Sequence, residues 1–244
     1  MTRAIHVDDL GGAVEKYRFT GYRLDMIFPA DDPREARMSR GRESISLCVE
    51  NHRRDRPLLL DEGSSEQWIR GRAGMEYRDI IPDRLGGRVI ASHIRLTQGG
   101  PVPDYVHYHK IVFQVIYCWK GRIEVVYEDQ GEHFWLEPGD LVLQPPEIRH
   151  RVLECEAGSE VIEITSPAEH ETWVEHKLTL PNGVVDTERL FGRLRFFKHT
   201  AGVDDARDGF ENSLVELAVG LAAAPGQPQA DEIATTFSQS LSQA

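Results

Sequence analysis

Two groups of residues in this 244-residue chain have the types and spacing that suit a bound metal ion. The first is Gly100, His107, His109, Gln114 and Gly121; the second is Gly139, Pro145 and His150. Side chains alternate across a β-strand, so His107 and His109 face one way while Tyr108 faces the other. Gln114 falls on the next strand-like segment and shares its face with Ile116 and Cys118. His150 opens or precedes a further strand after the Pro145-Pro146 turn. Closing such strands into a small barrel gathers three imidazoles and an amide oxygen at one level. That set suits Mn, Fe, Co, Ni, Cu or Zn. One divalent transition metal ion held by His107, His109, Gln114 and His150 is therefore the expected cofactor.

The elements that must position these groups are short strands. Arg88–Leu96, Phe113–Trp119, Arg122–Tyr127, Asp140–Gln144, His150–Leu153 and Glu160–Thr165 are rich in Val, Ile, Tyr, Trp or Phe. Gly99-Gly100, Lys120-Gly121, Pro138-Gly139 and Pro145-Pro146 divide them. Turns every 8–12 residues with no intervening helix predict an antiparallel sandwich or barrel. Tyr22–Phe28 and Ser44–Val49 also read as strands, with a polar loop over Ala30–Arg42 between them; Leu58–Leu60 is a candidate third. Residues 1–20 read as an arm, and Asp61–Arg72 as a loop or short helix. Glu188–Lys198 reads as a strand pair or a basic amphipathic helix. Glu211–Ala224 reads as a helix, and the last twenty residues have the polar composition of a disordered tail.

The two residue groups resemble the two motifs of the cupin superfamily, G-x5-H-x-H-x3/4-E-x6-G and G-x5-P-x-G-x2-H-x3-N. Six residues rather than five separate Gly100 from His107, and 17 lie between the motifs. Gln114 stands at the glutamate ligand, Glu147 at a glycine and Glu154 at the asparagine. The resemblance implies an all-β fold: a cupin, jelly-roll-like antiparallel β-barrel over residues 87–167. It would be flanked by an N-terminal strand extension (1–86) and a partly helical or irregular C-terminal extension (168–244). It also implies a homodimer, and an enzyme acting on a small, anionic or enolisable molecule. A dioxygenase leads, with an isomerase, lyase or hydrolase using the same site as the alternative. A non-catalytic ligand-binding or sensing cupin is the reading from another class. An amide at 114 removes one negative charge from the ion's surroundings and cannot act as a general base.

Other candidates are weaker. His93 shares a face with Val89 and Ala91 and lines the pocket if that face is inward; otherwise it is structural. Gln144 and Cys118 are inward-facing candidates. Glu154 is a pocket acid or base if its alternation with His150 and Val152 holds, and a surface carboxylate if not. Glu169 and His170 are candidates for closing one mouth of the barrel. Trp119, Trp135 and Trp173 read as packing residues. The formal charge of -12 argues against nucleic acid as a partner. No apolar run reaches membrane-spanning length, and no signal-peptide pattern or CxxC pair is present. A soluble, cytoplasmic protein is the expectation.

Overall fold

The computed structural model describes residues 2–49, 68–70, 75–80 and 84–201. The chain opens with β1 (Arg3–Val7), α1 (Leu10–Phe19), β2 (Arg23–Phe28), β3 (Glu35–Arg40) and β4 (Glu43–Val49). Then come β5 (Ile69–Arg70), β6 (Glu76–Asp79) and the single turn α2 (Arg84–Gly87). The barrel follows: β7 (Ile90–Leu96), β8 (Gly100–Pro101), β9 (His107–His109), β10 (Phe113–Lys120), β11 (Ile123–Tyr127), β12 (Phe134–Leu136), β13 (Leu141–Gln144), β14 (His150–Cys155) and β15 (Ser159–Ser166). β16 (Thr172–Val174) and β17 (Phe197–His199) complete the described part. No helix among the described residues is long and apolar enough to cross a membrane.

Two sheets face each other. One runs β1-β4-β3-β2-β16-β9-β14-β11-β12, with β8 beside β14; the other runs β17-β13-β10-β15-β7-β6-β5. Pairing is antiparallel throughout the described residues except between β1 and β4. Ile94, Leu96, Cys118, Ile123, Val125, Val142 and Val161 fill the space between the sheets. Phe113, Val115, Tyr117, Leu141, Leu143, Ile162 and Ile164 form a second buried cluster on the other face of the second sheet. Strands buried on both faces read as nearly continuous apolar runs. That is why β10, β13 and β15 stand out in the sequence while their inward face does not.

Two glycines of the motifs have visible reasons. Gly121 turns β10 into β11 at φ +66°, and a Cβ there would lie 2.4 Å from Ser159 Oγ. Gly139 has φ +99°, and its Cβ would lie 2.5 Å from that of Ala201. Glu147, where the motif has glycine, keeps the left-handed backbone at φ +59°, a conformation costing a non-glycine residue roughly 1–2 kcal/mol.

The flanks differ from expectation. Residues 1–20 are not an arm: β1 pairs with β4, and Asp9 caps α1 by accepting the Gly12 N–H at 3.1 Å. Leu10 and Val14 of that helix pack on Leu24, Ala36, Met38, Ile45 and Leu47. The expected loop over Ala30–Arg42 contains β3, whose charged residues share the strand with buried Ala36 and Met38. β2 bonds to β16 and β16 to β9, so the first strands prolong one barrel sheet. Glu188–Lys198 is not helical: Phe191 bridges Leu194, and β17 then joins β13. Leu58–Leu60, Glu211–Ala224 and the last twenty residues lie outside the described residues, as does all of Asp61–Arg72 except 68–70.

Candidate metal centre

β9 is only three residues long, held by β14 on one side and β16 on the other. His107 lies directly opposite His150 in this ladder, and His109 opposite Thr172. The three imidazoles of His107, His109 and His150 are buried, with ring centroids 4.3–5.1 Å apart. One nitrogen from each falls within 4.8 Å of the others. Tyr108 points away, beneath the Arg149 guanidinium at 4.5 Å.

The outward nitrogens set the tautomers. His107 Nδ1 lies 2.8 Å from the Tyr105 carbonyl, and His150 Nδ1 lies 3.0 Å from that of Ile148. A carbonyl only accepts, so in both rings Nδ1 carries the proton and Nε2 presents a lone pair. His109 Nδ1 is 2.8 Å from Thr172 Oγ1, and Asp104, buried, sits 3.6 Å from His107 Nδ1. Lone pairs brought this close repel one another unless a cation or donor lies between them. Outer partners of this kind orient metal-binding histidines. The donor set fits a divalent ion.

The facing sheet supplies the amides. Gln144 Nε2 donates to Gln114 Oε1 at 2.7 Å and lies 3.3 Å from His150 Nε2. Tyr127 donates to Gln144 Oε1 at 2.8 Å, with its ring stacked on His150 at 5.6 Å. Burial, then the Glu163 charge, push the Tyr127 phenol above its ordinary pKa and keep it a donor. The chain Tyr127 to Gln144 to Gln114 thus turns an amide oxygen, which has a second lone pair, into the site. These residues surround a cavity of about 60 Å³, walled by apolar residues including Ile94, Leu96, Ile116, Val125 and Val161.

This is an all-β barrel of the kind the two motifs imply. Its two motif histidine groups, 41 positions apart between His109 and His150, meet where β9 pairs with β14. Several solved structures resemble part of it. A RmlC-like cupin from Shewanella frigidimarina shares 25% identity over 43% of this chain and 87% of that chain, with a TM-score of 0.35. KdgF from Halomonas sp. shares 24% over 45% and 92%, at 0.36. The polyketide cyclase RemF from Streptomyces resistomycificus shares 19% over 48% and 83%, at 0.39. No family model matches the chain, and no curated protein does.

The barrel gathers His107, His109, Gln114, His150 and Gln144 at the cavity. It does not gather the other candidates. His93 shares a face with Val89 and Ala91, but Ile94 and Leu96 face the cavity. His93 is held outside it by Arg78 at 2.9 Å and Glu160 at 2.7 Å, against Trp68. Glu154 is exposed: the register between β11 and β14 slips after Val152, a bulge that turns Glu154 out and Cys155 in. Cys118 is buried in the core without lining the cavity. His170 packs edge-on to His109 at 5.1 Å, its Nε2 buried without a hydrogen-bond partner among the described residues, and burial pushes its pKa down. Glu169 instead pairs with Arg34 at 2.6 Å. Trp119 packs on the outer cluster, while Trp135 and Trp173 sit under cations.

Sequence reading missed Tyr127, Glu163, Thr172 and Asp104. Only Glu163 carried a signal, as a charge inside the apolar run VIEIT, and burial on both faces of β15 hid which side it takes.

Proposed function

We propose that the barrel is a mononuclear metal-dependent enzyme acting on a small oxygen-bearing organic molecule, by polarising a carbonyl or carboxylate rather than by activating O2. The observation that supports it is the three buried imidazoles, each with one nitrogen within 4.8 Å of the others, whose outer nitrogens are held by Tyr105, Ile148 and Thr172. A divalent ion there supplies Lewis-acid chemistry. The apolar wall excludes water, and His107, His109, His150 and Gln114 orient the ligand-bearing face. Because Gln114 is neutral, more of the ion's charge stays available to an anionic oxygen ligand, and a higher oxidation state is less favoured. This charge argument favours isomerase, lyase or hydrolase chemistry over the dioxygenase.

The test is metal analysis of untagged protein, followed by oxygen-electrode assays with small oxo- and hydroxy-acids. We expect about one metal ion per chain and no substrate-dependent O2 uptake. Uptake that needs the metal hands the site to the dioxygenase reading. No metal after reconstitution leaves a binding module.

A second result follows from charge. Gln114→Glu adds an anion beside the ion, so metal-loaded protein binds acetate at least tenfold more weakly, by calorimetry. Equal or tighter binding contradicts the charge argument.

A further inference from the structure

We propose that Glu163 is the proton-transfer residue of this site, and that the ligand is a small enolisable carbonyl compound seated between it and the histidine cluster. The inference rests on the metal-dependent reading above. It starts from where the carboxylates are. Gln114 is neutral, Glu154 is exposed outside the barrel, and Glu163 is the one carboxylate among the described residues lining the cavity.

Its position follows from register. Glu163 lies opposite Ile116, and Thr165 opposite Gln114, so Glu163 sits one inward row along the barrel from the amide. The histidines belong to one sheet, on β9 and β14; Glu163 belongs to the facing sheet, on β15. Facing sheets stand about 10 Å apart, which leaves room between the two groups for a reacting end of a few heavy atoms. The cavity of about 60 Å³ agrees, being less than half of the roughly 150 Å³ that admits benzene. Thr165 donates to Glu163 Oε1 at 3.3 Å, and Glu163 is only partly buried. The Coulombic effect of Glu163 on Tyr127 places its charge near the amide chain.

The arrangement separates two roles that one carboxylate ligand would combine. The histidine side holds the carbonyl oxygen. From the opposite wall Glu163 takes the proton of the adjacent C–H bond, and the electron pair of that bond moves into the carbon–carbon bond as the carbonyl pair moves to oxygen. Returning the proton to the same carbon regenerates the ketone; returning it elsewhere, or losing a leaving group, gives isomerisation or elimination. No oxidant is consumed. A divalent ion with one nearby carboxylate keeps a net positive charge, which favours a monoanionic ligand such as a 2-oxo acid.

The experiment uses pyruvate in D2O as probe, with full-length protein reconstituted with Zn(II). Proton NMR follows loss of the methyl signal, calorimetry gives Zn(II) affinity, and thermal melting of the metal-free protein gives its midpoint. Wild type is expected to exchange the methyl protons well above buffer with free Zn(II), and Glu163→Gln at least tenfold more slowly. Zn(II) affinities should agree within about threefold. The midpoint of Glu163→Gln should be equal or higher, because an isosteric amide in a largely apolar cavity is easier to desolvate. Exchange in the variant at the wild-type rate, or none above buffer in wild type, overturns the inference. A midpoint several degrees lower assigns Glu163 a structural role and also overturns it. Failure of wild type to bind Zn(II) overturns instead the metal-dependent reading beneath it.

Discussion

Replacing His107 and His150 together by alanine abolishes stoichiometric divalent-metal binding, while the protein keeps its far-ultraviolet circular dichroism. The two rings lie opposite one another in the β9/β14 ladder, 4.3 Å apart. Their loss leaves one imidazole and one amide, too few donors to displace the waters of a first-row ion. Loss of a single outer hydrogen-bond partner of a ligand costs about 10–100-fold in metal affinity. Removing two ligands outright exceeds that by far. Plasma emission analysis of dialysed protein measures it. Metal retained at one ion per chain in the double variant would show that the ion sits elsewhere, and the function proposed above would lose its foundation. The ladder itself should survive, since its hydrogen bonds come from the backbone and the core beneath it is apolar.

The second large effect is on stability. Arg84 joins the N-terminal strands to the barrel: its guanidinium lies 2.5 Å from Asp31 and 3.0 Å from Asp79, with only 6% of its side chain exposed. Arg84→Ala leaves Asp31 as a buried anion without its nearest cation. Breaking one side of such a pair costs about 3–5 kcal/mol. For a chain of this size, that corresponds to a fall in the melting midpoint of roughly 10 °C. Arg84→Met with Asp31→Leu recovers most of it, because an apolar pair replaces a buried ion pair with little penalty. Arg122→Ala, whose pair with Glu156 is about half exposed, barely moves the midpoint. A midpoint for Arg84→Ala within 2 °C of wild type, by differential scanning calorimetry, would mean that the N-terminal strands are not held to the barrel through this residue.

Much of the barrel is legible in the sequence because its signals are local. Gly121 and Gly139 mark turns that no side chain fits, and β10, β11 and β15 are apolar enough to declare themselves. The His-x-His pair on β9 carries its own geometry, since any strand puts His107 and His109 on one face. The N-terminal elements are less legible. α1 carries two glycines, Gly11 and Gly12, in its first turn, and β3 carries Glu35, Arg37 and Arg40 beside its two buried residues. Their burial depends on one another, which no window of sequence contains.

The sequence by itself determined the candidate donors, their spacing, and a barrel of short antiparallel strands to carry them, because alternation and turn chemistry act over a few residues. Only the tertiary structure decided which face of each strand is the inside. β7 and β15 are buried on both faces, so the sheet-to-sheet packing sends His93 out and Glu163 in. One bulged residue in β14 sends Glu154 to the surface. The outer hydrogen bonds that aim the imidazoles come from Tyr105, Ile148 and Thr172. Among these, only the barrel's closure brings Thr172, 63 positions away in the chain, against His109.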